Sequence, residues 1–576
     1  MPKITIYPEN IEIYISEEDN LLRVLQKNKI GINSYCGGEG WCGKCKVLVK
    51  EGNPSPLTLK EKRILTEEEI EKRIRLACQI RVKEDIKIEV LNRIKELDII
   101  YRFNLDLNLE FNPVISIQSF SLPLPNLYDQ TSDTERLLRA KKGLKIKNIN
   151  LIRKIPRFLR ENNFQGKLVI YEDEIIDIRE EEFDSPLGVA FDIGTTTLVG
   201  YLLDLKRGKE IDIITYLNPQ SFYGSDIISR ITYAINSKDG IKILKETILS
   251  SLKEMIETIC SKNNLSPKDI YAFSIAGNPT MVHLLLGINP EYISVSPYVP
   301  VISSGMIFNS QDLDLNISPF AKVYILPNIS GYVGGDIIAG ILAVGLWKEE
   351  GNILFVDVGT NGEIVLKTKK GIFSCATAAG PAFEGGHISS GMIAKEGAIN
   401  RVWLENNDVK FRVIGDKKEE GICGSGLIDA IKVMLDLNII DKTGRFKKGE
   451  YFSLGDVKIT QRDIREFQLA NSAIRTGIEI LLKDAKTTFN NIDKIYLAGA
   501  FGNYLNKDSI LRIGLLPPID PERIIFVGNS AGKGAELALL NKDFIDLAEK
   551  LRKEIIYIEL SGRKDFQDYF VEFMYF

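Results

Sequence analysis

The chain carries almost no net charge. Its 74 Lys and Arg face 78 Asp and Glu, a balance of −4. The strong basic excess of a nucleic-acid binder is missing. Cysteine is sparse, and seven in 576 residues are too few to staple a secreted disulfide scaffold. Histidine is nearly absent, with only His283 and His387. No basic-then-apolar leader opens the sequence; MPKITIYPENIEIYI alternates like a strand. The stretch Ile270 to Pro290 is uncharged enough to test as a membrane span, but it holds Ser, Asn, Gly and two Pro. These absences lead to the expectation of a soluble cytoplasmic chain with neither nucleic acid nor membrane as a partner. Its 44% hydrophobic and 26% charged residues match the globular average. At about 150 residues per domain, the length fits about four domains or two large ones.

The cysteines are unevenly placed. Four lie in the first 78 residues, and Cys260, Cys375 and Cys423 are scattered. Residues 1–93 read as a small β-rich unit, with strand alternation at Lys3–Tyr7, Ile11–Ile15, Lys46–Val49 and Ile86–Val90. A helical piece, Asn20–Lys27, precedes the cysteine cluster. Residues 94–115 form a connector without Gly/Ser richness, hence semi-rigid. Residues 116–185 make a middle unit, with a basic helical stretch near Arg136–Lys142, a strand at Lys167–Tyr171 and a solvated acidic run at Glu180–Glu182. From residue 186 glycines recur at the ends of apolar runs, as in an α/β domain whose strands end in ligand-facing turns.

Cys36, Cys42, Cys45 and Cys78 are spaced C-x5-C-x2-C, then 32 residues, then C. Three ligands on one tight loop need a backbone that wraps an inorganic core. Gly37, Gly38, Gly40 and Gly43 supply that freedom and let backbone N–H groups approach sulfides. The x5 gap resembles the adrenodoxin-like variant of the plant-type 2Fe–2S spacing. A four-cysteine zinc site is the alternative, but it normally shows two close cysteine pairs. The other three cysteines read as small buried residues.

Two segments of the large domain match each other: Phe191-Asp-Ile-Gly-Thr-Thr-Thr and Val356-Asp-Val-Gly-Thr-Asn-Gly-Glu, 165 residues apart. Each is an apolar strand, then Asp, then Gly-Thr. The turn amides and Thr hydroxyls can hold phosphate oxygens. Asp192 and Asp357 can face Mg²⁺ through water. A plain hairpin with a glycine turn is the alternative for one copy; two copies imply two related lobes, about 186–345 and 350–576. A third element, Ile495-Tyr-Leu-Ala-Gly499-Ala-Phe-Gly502, offers a small-residue turn against which an adenine ring can lie. Gly331–Gly340 and Ala531–Ala535 read as hinge helices, with static packing as the alternative.

In this order the elements resemble the acetate kinase, heat-shock ATPase and actin superfamily. That resemblance places Gly194, Thr195, Thr196 and Thr197 on one phosphate side and Gly359, Thr360, Asn361 and Gly362 on the other. Gly499, Ala500, Phe501 and Gly502 fall at the adenine. The water-orienting carboxylate has three candidates, Asp192, Asp357 and Glu363, which the sequence does not rank. Joined to a 2Fe–2S unit, the chain resembles the reductive activators of corrinoid proteins. The blocks Asp129-Gln-Thr-Ser-Asp133-Thr-Glu-Arg136, Asn218-Pro-Gln, Gly277-Asn-Pro-Thr-Met, Gly380-Pro-Ala-Phe-Glu-Gly and Gly421-Ile-Cys-Gly-Ser-Gly426 are similar to that family's, in its order.

The resemblance implies a multidomain fold. It comprises a β-grasp 2Fe–2S ferredoxin-like domain, a small α+β middle domain and a two-lobed actin-like α/β ATPase of duplicated ribonuclease H-like folds. It implies Cys36, Cys42, Cys45 and Cys78 as cluster ligands, ATP and Mg²⁺ as cofactors, a corrinoid protein as electron acceptor, an upstream low-potential reductant, and a homodimer. The reaction is reduction of Co(II) to Co(I). A 2Fe–2S centre near roughly −400 mV is a poor match for that alone, since about 59 mV is a tenfold change in a one-electron equilibrium. ATP supplies the difference by stabilising one state of the complex. Two other readings stay open: a small-molecule kinase fused to a ferredoxin domain, and an ATP-independent electron carrier. His283, in an apolar run, reads as a core residue. His387 lies in a glycine-rich loop near either nucleotide or partner.

Overall fold

The computed structural model describes residues 2–8, 10–15, 20–28, 30, 32, 38, 40, 43, 45–91, 103, 105, 110–499 and 505–576. Near the N-terminus, strands lie in the order Ile11–Tyr14, Lys3–Tyr7, Ile86–Val90, Lys46–Glu51, Ile74–Leu76. Lys3–Tyr7 runs parallel to Ile86–Val90, and its other neighbour is antiparallel. The alternation read from the sequence puts Ile4, Ile6, Val47, Val49, Ile86 and Ile88 inside, against Leu21 and Leu25 of the helix Leu21–Lys27. This is a β-grasp sheet with its helix.

A buried ion pair fixes the approach to Cys78. Arg75 donates to both oxygens of Glu61, at 2.7 and 2.8 Å, and the Leu76 amide adds a third bond at 3.1 Å. Glu61 also completes a capping box with Thr58 at the start of the helix Leu59–Ile64.

Past the connector, Ile115–Ser121, Gln165–Tyr171 and Glu174–Arg179 form an antiparallel sheet. The helix Ile149–Glu161 covers it with Leu151, Ile155, Phe158 and Leu159. The basic helix expected at Arg136–Lys142 begins earlier, at Asp133–Leu138, because Ser132 caps it by accepting from the Glu135 amide. Arg136 turns inward and bonds Asp129 at 2.6 Å. This unit is tied to the first lobe: the Tyr271 hydroxyl donates to Asp177 at 2.6 Å, and Arg179 to Asp269 at 2.7 Å.

The two lobes repeat a five-stranded core topology, each with a sixth strand added at a different edge. The first sheet has the order Lys209–Leu217, Thr197–Asp204, Leu187–Ile193, Ile270–Gly277, Lys322–Ile325, Met306–Asn309. The second has Ile524–Gly528, Lys494–Ala498, Ile353–Val358, Gly362–Thr368, Gly371–Thr377, Ile555–Tyr557. In each, the central strand pairs antiparallel with the next in sequence and parallel with a strand from the far side of a helical crossover. Such strands, covered on both faces, read as unbroken apolar runs.

Between the sheets the helices Gly335–Val344 and Ser530–Leu540 cross at backbone contact. A Cβ on Gly534 would lie 2.0 Å from the Ala339 carbonyl oxygen. These are the two small-residue stretches read as hinge helices. Described residues of the connector touch both ends of the second of them. Phe103 pairs with Gly528 just before it, and the Asn112 and Val114 amides bond the Leu540 and Leu539 carbonyls at its end. Cys260, Cys375 and Cys423 are buried, the first two within apolar clusters and the third against the Ile399 carbonyl and the Ser425 hydroxyl. Among the described residues no helix is long and apolar enough to cross a membrane; Ile270–Gly277 is the central parallel strand and Pro279–Leu286 the helix after it.

Candidate active site

Both repeated segments are antiparallel hairpins, and both line one cleft between the lobes. In the first, Val199 pairs with Asp192, and the Gly194 amide bonds the Thr197 carbonyl at 2.9 Å. In the second, Glu363 pairs with Asp357, and the Gly359 amide bonds the Asn361 carbonyl at 2.9 Å. The hairpin and the phosphate-type turn are thus one object. Asp192, Gly194, Thr195, Thr196 and Thr197 face Asp357, Gly359, Thr360, Asn361 and Glu363 across the cleft, with Gly499 between them. Gly362 stands apart: a Cβ there would meet Ile474 and Thr377, away from the cleft.

Gly499 has φ +102°, and a Cβ there would come within 2.4 Å of the Val358 carbonyl and 3.0 Å of Asp357. Only glycine allows this approach. Ala500, Phe501 and Gly502 lie outside the described residues.

The first turn is held from behind by residues of two sequence blocks quoted above, Asn218 and Asn278, and by Arg230. Asn218 donates to the Gly194 carbonyl at 2.8 Å, and its own amide bonds the Thr196 carbonyl at 2.8 Å. Asn278 donates to the Thr195 hydroxyl at 3.3 Å while capping its helix through Met281. The fully buried Arg230 donates to the Thr195 carbonyl.

Three polar residues in the cleft were not singled out from sequence. Asp336 opens the hinge helix Gly335–Val344 and faces Asp192, Asp357 and Glu363. Glu384 follows the strand Gly371–Thr377 and accepts from both Thr196, at 2.7 Å, and Thr360, at 2.8 Å. Asn529 donates to Asp192 at 2.9 Å. The signal for Asp336 was its place after Gly334-Gly335; that for Glu384 was the Gly-Pro-Ala-Phe-Glu-Gly block.

This crowd of carboxylates titrates late. Desolvation in the cleft, then the charge of Asp336, pushes Asp192 up to about 7. Desolvation with Asp336, Asp192 and Glu384 pushes Asp357 up to about 8. Asp336 rises to about 6 by desolvation, against the pull of backbone amides. Glu363 is raised well above the usual range by desolvation, Asp336 and Asp357. Such a set has the charge to accept a divalent cation. Among the described residues no three acidic, His or Cys side chains converge to grip an ion directly, so a cation here would be held through water.

In the N-terminal domain, Cys45 immediately precedes the strand Lys46–Glu51 and Cys78 sits in a short 3₁₀ turn. They lie at one pole of the sheet, where the Ala77 amide bonds the Cys45 carbonyl at 2.8 Å. Gln79 donates to the Cys78 sulfur at 3.4 Å. Gly38, Gly40 and Gly43 have φ of +93°, +78° and +67°, the left-handed turns such a loop needs. Cys36 and Cys42 lie outside the described residues. The site fits an iron–sulfur group: thiols at a buried pole, beside N–H donors and glycine turns.

The histidines differ. His283 is buried, bonded to the Pro279 carbonyl and the Val301 amide, and burial lowers its pKa. It is a core residue. His387, at φ +61°, has its Nδ1 3.6 Å from Glu466.

Residues 4–83 match the family described as 2Fe-2S iron-sulfur cluster binding domain. Residues 104–185 match the RACo linker region, 187–349 the RACo middle region, and 351–576 the C-terminal domain of RACo, the ASKHA domain. The corrinoid activation enzyme RamQ of Eubacterium limosum is 32% identical over 96% of this chain and 95% of its own. The [Co(II) methylated amine-specific corrinoid protein] reductase of Methanosarcina barkeri is 25% identical over 65% of this chain and 74% of its own. A solved structure, a reductive activator for corrinoid, iron-sulfur protein, superposes with a TM-score of 0.77 at 34% identity, covering 100% of this chain and 98% of that one.

Proposed function

The chain belongs to the RACo family of reductive activators of corrinoid proteins, and from that premise we propose that it spends ATP to deliver one low-potential electron to a corrinoid protein, reducing inactive Co(II) to Co(I). The observation that carries this reading is the cleft. Two equivalent Asp-x-Gly-Thr turns face each other across a carboxylate cluster, in the same chain as a cysteine pole built for iron–sulfur binding.

Cys36, Cys42, Cys45 and Cys78 would hold a 2Fe–2S cluster, which supplies single electrons when bound. The protein around it excludes water from Cys45 and Cys78 and offers the Gln79 amide to the Cys78 sulfur. An upstream low-potential reductant outside this chain restores each electron. The family likeness is also the ground for proposing a homodimer.

ATP would lie between the turns. The Thr196 and Thr360 hydroxyls are positioned as donors to phosphate oxygens from opposite lobes, and Gly499 leaves room for the nucleotide's flat end. Mg²⁺, when bound, would offset phosphate charge. Asp192, Asp336, Asp357 and Glu363 would hold it through water, and one of this set would orient the attacking water. Because the turns belong to different lobes, a phosphate gripping both fixes the lobe angle. The angle is set at the crossing of Gly335–Val344 and Ser530–Leu540 and would reach the cluster domain along the connector.

The test is nucleotide turnover by anaerobically purified, reduced protein. ATP hydrolysis that rises with a Co(II) corrinoid protein and yields only ADP and phosphate is expected. A phosphorylated acid or sugar would turn the reading to the kinase alternative.

A further inference from the structure

Glu384 bridges the cleft between the two phosphate turns through its side chain. One of its carboxylate oxygens accepts from Thr196 of the first lobe at 2.7 Å and from Thr360 of the second at 2.8 Å. The two hydroxyls stand 3.4 Å apart around it. An anionic oxygen taking a hydroxyl from each turn is the environment a nucleotide phosphate oxygen would need. Glu384 thus takes up the two hydroxyl donors that a phosphate oxygen at this place would use.

Its mounting suits a side chain that swings. The short turn Pro381–Glu384 is flanked by Gly380 at φ +77° and Gly385 at φ +73°. Its inner residues are fixed: Phe383 packs edge-on against Phe467 at 5.3 Å. Beyond it, Ser389 is tied by amide and hydroxyl to Asp463, which completes the capping box with Thr460 at the start of the helix Gln461–Asp484. The backbone is anchored at Phe383 and at Ser389, so a rearrangement here falls to the Glu384 side chain. Glu384 is one of five carboxylates around this cleft, and the charge of Arg230 reaches it while that guanidinium donates to the Gly224 and Thr195 carbonyls and the Met281 sulfur. Among the described residues Glu384 forms no salt bridge.

We propose that Glu384 is a positioning residue that holds the empty cleft in register through Thr196 and Thr360 and is expelled by nucleotide phosphate. The inference rests on the reading that these turns bind ATP. It goes further in assigning Glu384 a part in each cycle: latch in the empty state, displaced in the loaded one. Without it the turns would drift apart in the empty protein and be easier for nucleotide to occupy.

The experiment compares the full-length protein with Glu384→Ala and Glu384→Gln by two readouts, MgADP affinity by calorimetry and amide hydrogen exchange. Glu384→Ala is expected to bind MgADP about tenfold tighter, the lower end of what a hydrogen bond to a charged group contributes. Without nucleotide it should lose exchange protection at residues 194–197 and 359–361, and regain it with MgADP. Glu384→Gln keeps the volume and an acceptor oxygen, so its effect should be smaller and in the same direction. Weaker or unchanged affinity in Glu384→Ala overturns the proposal. So does an equal change in both variants, which would track charge and not the acceptor oxygen. If the wild type binds no MgADP, the nucleotide reading itself fails. If it binds and the variants do not differ from it, only the latch fails.

Discussion

Asn529 serves two structures at once: its amide nitrogen donates to Asp192 at 2.9 Å, and its oxygen accepts from the Gly532 amide at 2.8 Å. The first bond reaches the strand end of the first lobe. The second caps the hinge helix Ser530–Leu540. The helix that packs between the two sheets is thereby fastened to a carboxylate of the cleft.

Replacing Asn529 by Asp separates the two roles. Asp still caps the helix, but it sets a second carboxylate against Asp192. The protein should fold with a melting temperature near wild type while MgADP affinity falls by about tenfold, about 1.4 kcal/mol. Calorimetric titration beside a thermal melt checks this. Asn529→Ala loses the cap as well and should melt lower, by about 1 kcal/mol of stability.

The cleft carboxylates set a pH dependence. Asp192, Asp336 and Asp357 keep their protons in the empty folded cleft up to about 7, 6 and 8. The same groups ionise near 4 in an unfolded chain. The folded state binds more protons, so these groups make the empty protein less stable as pH rises from about 4 through about 8. A cation favours the ionised forms. The rise in melting temperature given by MgADP should therefore be larger at about pH 8 than at about pH 6. A shift independent of pH would contradict it.

The cluster domain depends on the Arg75–Glu61 pair. Both are buried, at 7% and 0% exposure. Arg75→Met leaves Glu61 charged and uncompensated beside the segment leading to Cys78, at a cost of about 3–5 kcal/mol. The variant should retain less iron per chain and lose the visible iron–sulfur absorption at lower temperature. The ATPase lobes should melt as in the wild type.

Much of this was legible because the signals are local. Strands covered on both faces gave unbroken apolar runs such as Ile353–Val358, and each ended in Asp and a glycine turn. Strands covered on one face gave the alternation of Lys3–Tyr7 and Ile86–Val90. Asp336, Glu384 and Asn529 were not legible as site residues. Each is a single polar side chain on a helix start or turn, and its neighbours in the cleft are distant in sequence. The helix Ile149–Glu161 carries Pro156 in its middle, a residue that ordinarily argues against a helix; its four buried apolar residues outweigh that cost. The polar residues behind the turns, Asn218 and Asn278, were visible only as parts of blocks, and the structure supplies their task.

The central claim is that nucleotide makes the electron transfer to cobalt proceed. Anaerobic protein with its cluster reduced is mixed with a Co(II) corrinoid protein, with and without MgATP, and the Co(I) absorption band is followed. Growth of that band with MgATP and little without it is the predicted result. Equal growth in both samples, or none in either, would contradict the account.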